Sequence, residues 1–316
     1  MATPANAVSS VNIKGIRQDL IDVIYNIDPY DTPFVQATSV GSAQAISHEW
    51  QTDELRAPGA NARIEGEDAT IRAGTFTTVL SNVCQISDET LQVTGTTEAV
   101  KKAGRKSELA YQLAKKGKEL RMDIEYALVG APQAKTQRNS TTAGTLGNIF
   151  SYYKTNGSLG VGGVAPVGDG SNTGTAGTNR TLTEALILDA SEKIWQNGGK
   201  ANTIHTSSTL KRMISDSFVG RATEVTLDSS SNKVSQAVDV YETDWGVYKI
   251  VANRHFAANT LFMFDPSMHS LNYLRAFRQY PLAKTGDSEK RQLLAEYTLR
   301  VNNEKSGALI RDVIPA

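Results

Sequence analysis

From about Glu98 to Leu128 the chain runs without a proline, and Ala99, Ala103, Ala110, Leu113, Ala114, Leu120, Ile124 and Leu128 fall mostly three, four or seven apart. That spacing lays one apolar stripe along a helix. At 1.5 Å per residue such a helix is about 45 Å long, more than a small core needs, so it reads as a spine against which sheet elements pack. Gly104 and Gly117 each weaken it by roughly 1 kcal/mol relative to alanine and mark places of bending or close packing.

Before the spine, Ile46, His48 and Trp50 alternate with polar residues, and so do parts of Phe76 to Val93. Two strands are expected, flanking an insert over 51–72. The insert holds Arg56, Arg63 and Arg72 together with Asp53, Glu54, Glu65, Glu67 and Asp68, with Pro58-Gly59 in the middle. Loops beyond about 12 to 15 residues in a compact protein are usually functional or disordered. One reading is a solvated loop; the other is an extension that reaches across a second copy, where both charge signs allow ion pairs. Earlier still, Ile16 to Ile24 forms a short amphipathic stretch. It should stop before Asp28, because Pro29 and Pro33 each remove a donor and bias the preceding residue toward extended geometry. Residues 1–34 therefore read as an arm.

After Pro132 the composition changes. Eight glycines lie between Asn156 and Asn179, mixed with Ser, Thr and Asn, and the expectation is a long exposed loop. Beyond it, Thr181 with Glu184 reads as a capping box opening a helix that Asn197-Gly198-Gly199 should end. A strand at Thr203 to Thr206, a helix near Ser208 to Phe218 and a polar loop at Asp228 to Lys233 follow. Val238 to Tyr241 and Val247 to Val251 flank Asp244-Trp245-Gly246, a hairpin signal. Leu261 to Phe264 is a short apolar strand, and Leu271, Tyr273 and Phe277 belong to another. Every second residue from Leu293 to Val301 is apolar, the pattern of a half-buried strand. The fold class is α+β.

The chemistry-bearing residues form no recognisable constellation. His48, His205, His255 and His269 are widely separated, with no zinc-ligand spacing. Cys84 is the single cysteine; it excludes an internal disulfide and reads as a small core hydrophobe. No nucleophile elbow and no phosphate-binding glycine motif occurs. No catalytic residue, metal or cofactor is assigned. The 33 basic and 33 acidic residues cancel, which argues against a surface designed as a whole to grip polyphosphate. Lys101, Lys102, Arg105, Lys106, Lys115, Lys116, Lys118 and Arg121 share the spine with Glu108, Glu119, Asp123 and Glu125, so weak, non-specific contact with DNA is the most this face suggests. No signal-peptide pattern and no run of eighteen apolar residues is present, so no membrane is implied and folding in cytoplasm is expected.

Several segments resemble the tailed-bacteriophage major capsid proteins of the Hong Kong 97 type. Asn26 to Phe34 resembles the arm motif of one branch of that family. Glu49 to Asp53 with Ile64 to Ala69 resembles its extended loop. Gly95 to Val100, Ala103-Gly104-Arg105 and Ala110 to Leu120 resemble its spine, and Val238 to Tyr241 and Leu282 to Leu299 complete the match. The resemblance implies an arm over 1–42, an extended two-stranded loop region over 43–94, a peripheral domain with the spine over 95–155, an axial domain over 156–235, and the axial remainder with return strands over 236–316. It implies self-assembly into pentamers and hexamers of an icosahedral head around double-stranded DNA, in a virion built in the bacterial host cytoplasm. The partners it implies are a separate scaffolding protein, a portal protein and a decoration protein. Candidate inter-subunit contacts are Trp50, Asp53, Arg56, Arg63, Glu65, Glu67, Asp68 and Arg72 in the loop, and Lys284, Asp287, Lys290 and Arg291 in the later run. Two alternatives stay open here: an encapsulin-type compartment, which shares the fold, and a virion-associated enzyme or carbohydrate-binding protein.

Overall fold

The structure, a computed structural model, describes residues 31–69, 71–72, 74–219 and 239–314. The amphipathic stretch at Ile16 to Ile24 and the polar loop at Asp228 to Lys233 lie outside them. In chain order the elements are α1 (Pro33–Ala37), β1 (Ser39–Ser42), β2 (Ser47–Thr52), β3 (Thr78–Val83), β4 (Gln85–Thr94), α2 (Gly95–Ala99), α3 (Glu108–Val129), α4 (Ile149–Tyr152), β5 (Arg180–Thr181), α5 (Glu184–Gln196), β6 (Thr203–Thr206), α6 (Ser208–Val219), β7 (Val240–Thr243), β8 (Gly246–Ala252), β9 (Thr260–Phe264), β10 (His269–Pro281), β11 (Ser288–Val301), β12 (Ala308–Arg311) and β13 (Val313–Ile314). One sheet runs β1-β10-β11-β4 and a second β12-β9-β6-β8-β7; β2 pairs β3, and β13 pairs β5.

The second sheet separates two cores. Along β9 every residue is buried, and the period of two divides them: Phe262 and Phe264 join Leu120, Ile124, Leu128, Tyr152 and Tyr297 in one cluster, while Leu261 and Met263 join Ile187, Ile194, Ile204, Ile214 and Ile250 in the other. The strand at Thr203 to Thr206 and the hairpin about Asp244-Trp245 form as expected, and Thr243 faces Gly246 across the turn.

The spine is shorter than its apolar spacing suggests. Helix α3 starts at Glu108 and spans 22 residues, about 33 Å. Helix α2 ends at Ala99, where Val100 turns extended, and Gly104 takes a left-handed φ of 74°, so no continuous helix runs on from Glu98. Ser107 caps the new start by accepting the Ala110 N–H, and the Glu98 carboxylate reaches across the break to accept the Glu108 N–H at 2.9 Å. Ala99 and Ala103 offered too little apolar surface to hold the missing turns against the body. The start of α5 also differs: Thr183 is the N-cap, without a side-chain cap bond, and Thr181 is drawn into β5. Its end follows expectation, with Gly198 at φ 80°.

Two further expectations change in three dimensions. Strand β11 is buried on both faces from Ala295 to Leu299, because it is central between β10 and β4 and also packs on α3. On that stretch Thr298 is buried as deeply as Leu299. The glycine-rich stretch is an ordered tongue rather than a simple exposed loop. The Asp312 carboxylate accepts the N–H groups of Gly160 (3.0 Å) and Gly177 (2.8 Å), and Arg311 donates to the Thr173 carbonyl at 2.6 Å. A Cβ on Gly177 would run into the Gly160 carbonyl, so the two limbs close only without side chains.

Two histidines lie in the aromatic centre of the first core. Phe34 packs on the His205, Phe264 and His269 rings at 6.0, 5.5 and 6.0 Å. The His269 Nδ1–H is directed at the Asp265 carbonyl (2.9 Å), leaving Nε2 to accept from the Tyr153 hydroxyl (2.6 Å). Burial pushes His205 down to about 3 and His269 down to about 4 from the usual 6.5. The unfolded chain therefore binds more protons than the folded one below about pH 6.5, and stability falls as pH drops from there through these folded values. Equilibrium urea unfolding should show this acid loss in the native protein. His205→Phe should make it shallower, leaving the part due to His269; an unchanged acid slope would contradict the assignment.

Candidate inter-subunit surface

Strands β2 and β3 pair in register from Ser47↔Val83 to Thr52↔Thr78, so the chain leaves and re-enters the body at one place. Every described residue from Asp53 to Thr77 is exposed. Four large apolar side chains there stand open: Leu55 is 98% exposed, Ile64 79%, Ile71 101% and Phe76 94%. Internal links among the described residues are few, chiefly Arg63 to Glu67 at 3.2 Å and Arg72 to the Asn61 side-chain oxygen at 2.6 Å. At the base, Lys305 Nζ meets Glu54 Oε2 at 2.6 Å. Such a segment does not fold for its own burial, and its apolar side chains gain only when another surface covers them.

Of the expected contact residues, Asp53, Arg56, Arg63, Glu65, Glu67, Asp68 and Arg72 all lie on this exposed loop. Trp50 does not. It is 8% exposed and packs on Tyr152 with ring centroids 5.8 Å apart, on the inward side of β2. Lys284 and Asp287 are exposed at the far tip of the β10–β11 hairpin, with Lys290 and Arg291 half-buried beside them. Lys284 and Arg291 both approach Glu289, at 3.7 and 3.4 Å, and Lys290 donates to Thr285 Oγ1 at 2.6 Å. This tip is fixed to α2 by the Gly95 N–H on the Asp287 carbonyl, 3.0 Å. The sequence separates the loop and the tip by more than 200 residues, and they stand on different hairpins, β2–β3 and β10–β11.

The basic side of the spine is largely answered within the chain. Lys116 contacts Glu89 and Glu119 at 2.9 and 2.7 Å, Lys102 pairs with Glu98, and Arg105 pairs with Glu108. What remains is a mixed face, without the one-signed field of a polyanion groove. Among the described residues no group of three or more His, Cys, Asp or Glu is placed to hold a metal. Cys84 is buried at the β3–β4 junction, where burial pushes its thiol up to about 11; it is protonated and unreactive at neutral pH. No helix among the described residues is long and apolar enough to cross a membrane.

Sequence reasoning missed how the arm is fastened. The N–H groups of Phe34 and Val35 both donate to the Glu125 carboxylate at 2.9 Å, joining α1 to α3. The apolar Phe after Thr32-Pro33 was the available signal, but Glu125 looked like one more charge on a solvated helix.

A family model described as "SU10 major capsid protein" matches residues 3–313, nearly the whole chain. The chain belongs to the SU10 major capsid protein family. It is also 26% identical to the major capsid protein of Escherichia phage Phieco32, over 98% of this chain and 97% of that one. Among solved structures it is similar to the cyanophage A-1(L) capsid asymmetric unit (TM-score 0.66, 14% identity, 94% of this chain and 97% of that chain). A second similar structure is that of Mycobacterium phage Adephagia (TM-score 0.62, 11% identity, 98% and 99%). A third is that of the phage G gp27 major capsid proteins and gp26 decoration proteins (TM-score 0.55, 11% identity, 98% and 99%).

The chain is thus a major capsid protein of a tailed bacteriophage, with the Hong Kong 97-type fold, and its place is the virion shell. In this capsid protein the loop between β2 and β3 is long and exposed, and α3 is the longest helix among the described residues. The four histidines of the capsid protein stand on different elements, His48 on β2, His205 on β6, His255 beyond β8 and His269 at the start of β10, and His205 and His269 meet across the Phe34 ring.

Proposed function

We propose that the capsid protein forms pentamers and hexamers that close into an icosahedral shell around double-stranded DNA, assembled in the bacterial host cytoplasm on a separate scaffolding protein. The portal protein occupies one vertex, a decoration protein binds outside, and DNA touches the inner face through weak, non-specific contacts. The peripheral domain is built on the first core and the spine, and the axial domain on the second core.

The observation that carries this reading is the extended loop, whose Leu55, Ile64, Ile71 and Phe76 side chains are almost wholly exposed. A monomer gains nothing from presenting them, whereas repeated weak burial on neighbouring copies is how closed symmetric assemblies reach stability. Asp53, Arg56, Arg63, Glu65, Glu67, Asp68 and Arg72 supply both charge signs to fix its register on a second copy, and Lys284, Asp287, Lys290 and Arg291 form a second contact region at the hairpin tip. Electron microscopy of the purified protein, alone and with its scaffolding protein, tests the reading. Closed shells or capsomer rings are expected, and a persistent monomer in both samples would overturn it.

A further inference from the structure

Glu125 lies in the C-terminal half of α3 and is fully buried. Its Oε1 accepts the Phe34 N–H at 2.9 Å and the Asn253 side-chain amide at 2.5 Å, and its Oε2 accepts the Val35 N–H at 2.9 Å. Three parts of the fold therefore meet at one carboxyl: the end of the arm, the spine, and the connection between β8 and β9. That connection is tied down by Asn253 N–H on the Thr206 carbonyl (2.9 Å) and Ala257 N–H on the Val129 carbonyl (3.2 Å). Among the described residues no lysine or arginine pairs with Glu125. Burial makes this carboxylate costly to ionise, and its three N–H donors offset only part of that cost.

We propose that Glu125 is a proton-sensitive clasp for the arm, whose neutral form holds α1 in its slot more tightly than its ionised form. A neutral carboxyl keeps lone pairs for the Phe34 and Val35 amides, while the ionised form brings a negative charge into a buried slot. Burial pushes Glu125 up to about 7 against the downward pull of its three donors, and Asp31 adds to the upward push. Lifting α1 and Phe34 away opens the slot to water and returns the carboxyl to its ordinary 4.5. Between these values the held state binds more protons than the released one, so the hold weakens as pH rises through the window and levels off above it. Each unit of difference is a factor of ten, which makes the total change on the order of a hundredfold.

Among the described residues the other titratable groups around the slot are Asp31 on the arm, Asp123 on the spine with His255 near it, and His205 and His269 across the Phe34 ring. The last two titrate near 3 and 4 and stay neutral at about pH 5 and above. Amide hydrogen exchange of the full-length protein, followed by mass spectrometry and corrected for the intrinsic pH dependence of exchange, reads the clasp directly. Protection at Phe34 and Val35 should fall on the order of a hundredfold from about pH 5 to about pH 8. Glu125→Gln should make the profile flat, and Asp31→Asn should move its midpoint to lower pH. A flat profile in the native protein, or an equal slope in Glu125→Gln, overturns the proposal. If the glutamine variant does not fold, an unmoved midpoint in Asp31→Asn overturns it as well.

Discussion

Replacing Glu296 by alanine is expected to lower the stability of the capsid protein by about 3 kcal/mol, far more than any other single carboxylate in the first sheet. Its side chain is 3% exposed, with Arg138 Nη2 at 2.6 Å on one oxygen and Arg275 Nε at 2.8 Å on the other. Arg138 also donates to the Cys84 carbonyl at 2.5 Å. The triad thus ties the β3–β4 junction to the β10–β11 ladder at the place where that ladder shifts register, between Tyr273 and Arg275. Without the carboxylate, two guanidinium groups face one buried space with no counter-charge. The cost for breaking a fully buried pair is about 3–5 kcal/mol; Arg138 and Arg275 are 27% and 41% exposed, so water relieves part of it and the lower figure is expected. Arg291→Ala, which breaks a more exposed pair with Glu289, is expected to cost less than about 1 kcal/mol. Urea unfolding of the two variants beside the native protein checks the contrast, and similar losses in both would refute the role given to the triad.

Deleting residues 53–72 is expected to abolish shell formation while leaving the body folded. No described residue in that segment is buried, so its removal subtracts nothing from either core. The segment is tied to the body by the Glu54–Lys305 ion pair, which lies at the surface and is worth less than about 1 kcal/mol. The partners Thr52 and Thr78 stay paired, and the residues left between them are enough to close a hairpin. Thermal unfolding should therefore stay within a few degrees of the native protein, while electron microscopy under assembly conditions shows no closed particles. Normal shells from the deletion would show that the loop does not hold subunits together; an unfolded protein would show that it supports the core.

Much of the fold was legible because its signals are local. The hairpin about Asp244-Trp245, the end of α5 at Asn197-Gly198, the strand at Thr203 to Thr206 and the long charged insert before Phe76 each depend on residues a few positions apart. The exposed loop members of the candidate interface were legible for the same reason: charge with Pro-Gly in a long insert forecasts solvent exposure. Trp50 was misplaced because alternation fixes that a strand has two faces but not which face meets the body.

By itself, then, the sequence determined the α+β class, most strands and helices, the existence of a long exposed loop before Phe76, and the absence of any local catalytic motif. Tertiary structure decided where the spine begins, that β11 is buried on both faces, and that one aspartate, Asp312, orders the glycine-rich tongue. It also decided which charges are structural: Glu125 meets Phe34 across 91 positions, and Glu296 meets Arg138 across 158. The physical reason is that periodicity, capping and turn chemistry act within a few residues. The worth of a charge or a glycine depends on burial and on partners, which chain folding brings together from far apart.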